Sequence, residues 1–170
     1  MKSIGSLPHW KGWRTRSSVP GDAEGGTLRT IETEITIDAT PERVWSVLSD
    51  FGAYPDWNPF IRRIDGEAAV GERIEVNLQL ADSKPKTFRP RVEAFDPPRE
   101  LRWLGSLGFP GIFDGAHQFR IEPTGGGTRF VHREEFRGVL AGLILRFIGA
   151  KTSSGFEAMN TALKQRAESA

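Results

Sequence analysis

Apolar and polar positions alternate with a period of two from Thr30 to Ile37: Ile31, Thr33, Ile35 and Ile37 fall on one side, Glu32, Glu34 and Thr36 on the other. That spacing predicts a half-buried strand. The next residues predict a helix start, because Thr40 can cap the free N–H groups, Pro41 fits the first helical position and Glu42 suits the positive helix end. Val44, Val47, Leu48 and Phe51 make its buried face. In the segment 51–60, FGAYPDWNPF, Pro55 and Pro59 each bias the preceding residue away from helix, so a second helical piece must be short.

Strand patterns then follow one another. Phe60–Ile64 is short. Arg73–Leu80 turns Ile74, Val76, Leu78 and Leu80 to one face; Thr87–Phe95 does the same with Phe88, Val92 and Ala94; Glu100–Gly105 has Leu101 and Trp103 in phase. A final hairpin is expected over Ile112–Ile121 and Thr128–Phe136, turning through Pro123 to Gly127. From Gly138 to Arg166 the period changes to three and four, with Leu140, Leu143, Ile144, Phe147 and Ile148, then Ala158, Met159, Ala162 and Leu163. This predicts one long amphipathic helix.

A run of strands closed by a single long helix offers that helix no helical partner, so its apolar side is expected to lie across a curved antiparallel sheet. The fold class is α+β, with two short helices between strands 1 and 2. Where side chains leave the space between sheet and helix unfilled, a cavity results.

At 170 residues the chain is one domain's worth. The division expected is a loosely ordered arm over 1–29 and a folded domain over 30–168. With no cysteine, disulfides, thiolate nucleophiles, zinc–thiolate sites and iron–sulfur clusters are excluded. The longest apolar run, Val139–Ala150, is interrupted by Arg146 and is too short to span a bilayer. A soluble, cytoplasmic protein without stable membrane insertion is expected. The formal charge of +1 hides an asymmetry, since Lys2, Lys11, Arg14, Arg16 and Arg29 face only Asp22 and Glu24 in the arm. A slightly acidic domain with a basic arm is poorly suited to general nucleic-acid binding. Trp10 and Trp13 in the arm are compatible with docking on the domain surface, with a membrane-surface or partner-binding patch, or with a targeting leader.

The element order and five phrases, ATPERVW at 39–45, DFGAYPDWNPF at 50–60, PRELRW at 98–103, GGGTRFVHREEF at 125–136 and GFEAMN at 155–160, resemble the START-like, helix-grip superfamily (SRPBCC). It includes the polyketide cyclase/dehydrase and lipid-transport proteins. The resemblance covers Ile31 to Arg166. It implies a seven-stranded antiparallel sheet wrapped round the long helix and a cavity holding lipids, sterols, polyketides or plant hormones; some relatives are enzymes and many only bind.

The candidate chemistry sits on the last hairpin. With Gly125 and Gly126 at its tip, Ile121 faces Phe130, Phe119 faces His132 and His117 faces Glu134, all on the inward side. Two histidines and a carboxylate in an apolar pocket can bring an imidazole pKa near neutral pH and serve acid/base catalysis of an enolisation or dehydration. The structural alternative is that the histidines satisfy neighbours and that Glu134 makes an ion pair at the rim. The expected walls are Val76, Leu78, Val92, Trp103, Phe113, Phe119, Phe130 and Phe147, with Trp57 at the entrance. Three histidines, one of them His9 in the arm, and no repeated carboxylate spacing make no convincing metal site. No cofactor is called for. The glycines at 125–127 precede no helix, so they form no phosphate loop. Three functions remain: binding or carriage of a small, mostly apolar molecule; a cyclase or dehydratase using His117, His132 or Glu134; and a protein-interaction module working through the arm or the Phe109 loop. Catalytic assignment, ligand identity and oligomeric state stay open.

Overall fold

The computed structural model describes residues 28–81 and 83–169. The expected arm, with His9, Trp10 and Trp13, lies outside these residues except for its last two positions. The order is β1 (Arg29–Ile37), α1 (Pro41–Ser49), a single 3-10 turn (Phe51–Ala53), α2 (Tyr54–Trp57), β2 (Ile61–Asp65), β3 (Glu75–Leu78), β4 (Lys86–Phe88), β5 (Arg91–Asp96), β6 (Glu100–Ser106), β7 (Asp114–Thr124), β8 (Gly127–Arg137) and α3 (Ala141–Glu168). Thr40 caps α1 as expected, its hydroxyl accepting from the N–H of Arg43 at 3.2 Å.

The strands do not form the single seven-stranded sheet expected. There are eight among the described residues, in a five-stranded sheet ordered β1-β8-β7-β6-β5 and a three-stranded sheet ordered β2-β3-β4. The segment Thr87–Phe95, expected as one strand, is divided at Pro90 into β4, which pairs with β3, and β5, which pairs with β6. Proline brings no N–H to the ladder. Its carbonyl still accepts from the N–H of Ile74 at 3.1 Å, and an isolated bridge between Arg73 and Arg91 joins the two sheets across the break.

The C-terminal half of α3 is gripped firmly. Phe156, Met159 and Leu163 are fully buried on it, against a core that includes Ile37, Leu48, Phe60, Leu101, Phe119 and Phe130. Phe60 comes so close that a Cβ at Gly155 would stand 2.4 Å from its ring. The guanidinium of Arg43 donates to the carbonyls of Arg166, Ala167 and Ser169 at 3.1 to 3.2 Å. A helix C-terminus leaves such carbonyls without partners, so α1 completes the end of α3. The N-terminal half is held by a smaller cluster, in which Phe113, Phe136 and Ala141 are packed by Ile31, Ile144, Leu145 and Ile148. There the expected orientation fails: Leu140, Leu143 and Phe147 are exposed, Phe147 to 74%. Apolar residues occur nearly all round this part of the helix, and Ala141, Ile144 and Ile148 take the inward side.

Candidate functional site

The hairpin register is the one the glycine tip predicts. Ile121 pairs with Phe130, Phe119 with His132 and His117 with Glu134, and β1 adds Thr33 opposite His132. Trp103 of β6 stands opposite His117. Both histidines are buried, and their Nε2 atoms lie 2.7 Å apart.

A polar chain of five residues results. Asn160 of α3 reaches His132 Nδ1 with its Oδ1 at 3.1 Å and donates from Nδ2 to Thr33 Oγ1 at 2.9 Å. The backbone carbonyl of Phe156 offers the His132 ring a second acceptor. An amide oxygen and a carbonyl can only accept, so His132 carries its proton on Nδ1 and presents a bare Nε2. His117 must then donate from Nε2. Its other nitrogen, Nδ1, faces Glu134 Oε2 at 3.4 Å. A bare nitrogen and a carboxylate are both acceptors, so a hydrogen bond between them requires one additional proton. The chain thus begins in the core and ends at a carboxylate that retains some access to solvent.

Gly115 makes room for that carboxylate. A Cβ there would lie 2.6 Å from Glu134 Oε1 and 3.7 Å from the ring of Phe136. Phe136 belongs to the outer apolar cluster, so Glu134 stands at the junction of the two cores. On the inward side of α3, between buried Ala141 and Thr152, a Cβ at Gly149 would meet no atom within 4 Å. Open space therefore adjoins the helix at Gly149.

The inner half is filled. His132 stacks on Phe156 with ring centroids 3.7 Å apart and planes 11° apart, and Phe60, Trp103 and Phe119 close round the histidine pair. Val76, Val92, Trp103, Phe119 and Phe130 are buried in this packing, whereas Leu78 is partly buried. Phe113 lies in the outer cluster. Phe147 points to solvent and forms no inner wall. Trp57, expected at the entrance, stands on α2 beside Tyr54, ring centroids 5.0 Å apart, and lines a surface cleft of about 370 Å³ with Arg43, Asp50 and Arg166.

Nor is the pKa of His132 brought near neutral pH. Burial pushes its pKa well below the ordinary imidazole value, His117 adds to the shift, and the hydrogen bonds to Asn160 and Phe156 only oppose it. The folded protein keeps His132 neutral, while the unfolded chain binds a proton as pH falls through about 6.5, so this stabilisation is complete above that pH and is lost below it. Urea unfolding at about pH 7 and pH 5.5 is expected to differ by about 1 kcal/mol more in the wild type than in His132→Asn. Equal pH slopes would show that His132 is not held neutral.

The sequence reading missed Asn160, Thr33, Phe60 and Phe156 as parts of the site. Asn160 left one signal, a polar residue in register with the buried residues Phe156, Met159 and Leu163.

These features place the molecule among helix-grip proteins, and the family match agrees. Residues 29–168 match the polyketide cyclase / dehydrase and lipid transport family, and the chain belongs to it. That membership supports a ligand-binding or cyclase role without choosing between them. No curated protein matches the chain. Among solved structures, it is similar to the ZhuI aromatase/cyclase from Streptomyces sp. R1128, with 20% identity and a TM-score of 0.68, covering 83% of this chain and 94% of that one. Protein MLL2253 from Mesorhizobium loti is 26% identical with a TM-score of 0.61, covering 81% and 96%. A norcoclaurine synthase point mutant from Thalictrum flavum is 15% identical with a TM-score of 0.64, covering 85% and 97%. Among the described residues, no helix is long and apolar enough to cross a membrane.

Proposed function

We propose that the protein binds a small, mostly apolar molecule in the outer half of the space between sheet and α3, with Glu134 and His117 as its polar anchor. The observation that supports this is the junction itself: a buried polar chain ends at a partly accessible carboxylate beside apolar Phe136, while the inward side of Gly149 is empty. A carboxylate accepts and does not donate, so the favoured guest carries a hydroxyl on an apolar body. The apolar body contributes roughly 25 cal/mol per Å² buried, before ordering costs.

Calorimetric titration with 2-naphthol and with its methyl ether tests both parts. The naphthol is expected to bind at least about tenfold more tightly, because only it donates to the carboxylate. Gly149→Leu should abolish binding of both while leaving the melting temperature unchanged or raised, since leucine is the better helix former. Absence of binding in the wild type, or equal affinity in Gly149→Leu, would remove this reading. The second reading is cyclase or dehydratase chemistry, favoured by the His117–Glu134 pair, which can take up and return one proton. Its sign would be hydrogen–deuterium exchange α to the carbonyl of a bound aromatic ketone, lost in Glu134→Gln.

A further inference from the structure

The first turns of α3 and the loop before β7 form an apolar face that the binding reading does not use. Leu140, Leu143 and Phe147 follow one another at three- and four-residue steps on one stripe of the helix, and all are exposed. The loop lies directly beside them. Val139 N–H donates to the carbonyl of Gly111 at 3.1 Å and Leu140 N–H to that of Ile112 at 3.0 Å, while Gly138, at φ +115°, packs so tightly that a Cβ would stand 2.4 Å from the Ile112 oxygen. These contacts bring Phe109, 78% exposed, and Val139, 81% exposed, to the same end of the molecule. Apolar residues gathered in this way, rather than scattered singly, mark an interaction surface.

Its charges identify the occupant. The segments 104–113 and 137–156 contain Arg137, Arg146 and Lys151 and no aspartate or glutamate. All three cations are exposed, Arg137 standing 3.7 Å from Glu135 Oε2, and Lys151 continues the Leu140–Phe147 stripe. A second copy in a two-fold dimer would bring this patch against itself, cation to cation. The chain's own residues 1–27 are basic as well, with Lys2, Lys11, Arg14 and Arg16 against Asp22 and Glu24. They join the fold at this end, for Arg29 pairs with Phe136 and its guanidinium lies 3.1 Å from where a Cβ on Gly142 would stand. Both candidates within the protein therefore meet like charge. Aliphatic and aromatic side chains ringed by cations suit a surface that is apolar just beneath a layer of negative groups. We propose that this face docks reversibly on an anionic lipid bilayer, with Phe109, Leu143 and Phe147 entering the headgroup boundary and Arg146 and Lys151 lying against lipid phosphates.

The full chain should be sedimented with vesicles of phosphatidylcholine alone and of phosphatidylcholine mixed with phosphatidylglycerol. It is expected to sediment with the mixed vesicles, to remain in solution with the neutral ones, and to be partly released by added salt. Leu143→Ser combined with Phe147→Ser should weaken partitioning by about tenfold or more, because it removes two of the three side chains that would enter the headgroup boundary. Its melting curve should stay that of the wild type, since both side chains are exposed. Three outcomes would overturn the proposal: a wild type that stays in the supernatant with both vesicle types; a double variant that sediments like the wild type, which moves the contact to residues 1–27; or a dimer that the double variant dissolves, which makes the face a contact between copies. None depends on whether a guest binds at Glu134.

Discussion

Replacing Phe156 by alanine is expected to cost about 4 kcal/mol of stability, the upper part of the range for buried aromatics. The side chain is fully buried on the gripped half of α3, stacked on His132 and edge-on to both Phe60 and His117 at centroid distances of 5.4 and 5.2 Å. Its removal opens a cavity between three rings that cannot all move inward, because Phe60 is already wedged against Gly155. Dispersion contacts and burial are lost together. Urea unfolding should show a lower midpoint with an unchanged slope. Should the alanine variant fail to fold, Phe156→Leu is expected to show a smaller loss of the same kind, about 1 kcal/mol. Phe147→Ala, about two and a half turns earlier in the same helix, should change stability by less than about 0.5 kcal/mol, because the ring already stands in water. A loss at Phe156 no larger than at Phe147 would show that the sheet does not grip the helix.

The contrast between these two phenylalanines also marks where sequence reading stopped. The hairpin register was legible because the consecutive glycines at 125–127 fix the tip, and a shift by one residue would have exposed Phe119 and Phe130. From that alone His117 and Glu134 came out opposite each other, as the structure has them. Helix α1 was legible from Thr40 and Pro41. Pro90 was visible too, yet the apolar period of Thr87–Phe95 outweighed it, and the missing N–H then divided the strand. In the first half of α3 the signal was ambiguous, since Leu140, Leu143, Ile144, Leu145, Phe147 and Ile148 surround the helix and leave Arg146 alone to mark an outward side. Periodicity states that a face is apolar but not how far its side chains fill the space in front of it. So the sequence could suggest a cavity and could not show that Phe60, Phe156 and the histidine pair occupy its inner half. The chain from Thr33 to Glu134 drew on residues from β1, β7, β8 and α3, and no local pattern joins them.

Asn160→Leu tests that chain and is expected to cost about 2 to 3 kcal/mol, although leucine has nearly the same size and a better helix propensity. The asparagine is buried, and its amide satisfies His132 Nδ1 and Thr33 Oγ1 at once. With leucine in place, Thr33 loses its partner and the His132 Nδ1–H loses its amide acceptor. The buried His132 N–H, left without that acceptor, costs more than the hydrogen bond contributed, and half-buried Thr33 adds the loss of its own bond. The proton is then no longer fixed on Nδ1. Nitrogen chemical shifts of a histidine-labelled sample should show Nδ1 protonated and Nε2 bare for His132 in the wild type, and a mixture of the two tautomers in Asn160→Leu. Asn160→Asp retains an acceptor at the same atom and adds negative charge, which favours a doubly protonated His132 ring. A second proton there makes His132 Nε2 a donor, so His117 Nε2 must accept and its Nδ1 becomes free to donate to Glu134. A single buried residue would thereby reverse the direction of the chain and change what Glu134 offers a guest. Unchanged ring shifts in both variants, with stability within about 0.5 kcal/mol of the wild type, would mean that Asn160 does not position the histidines and that the chain ends at His132.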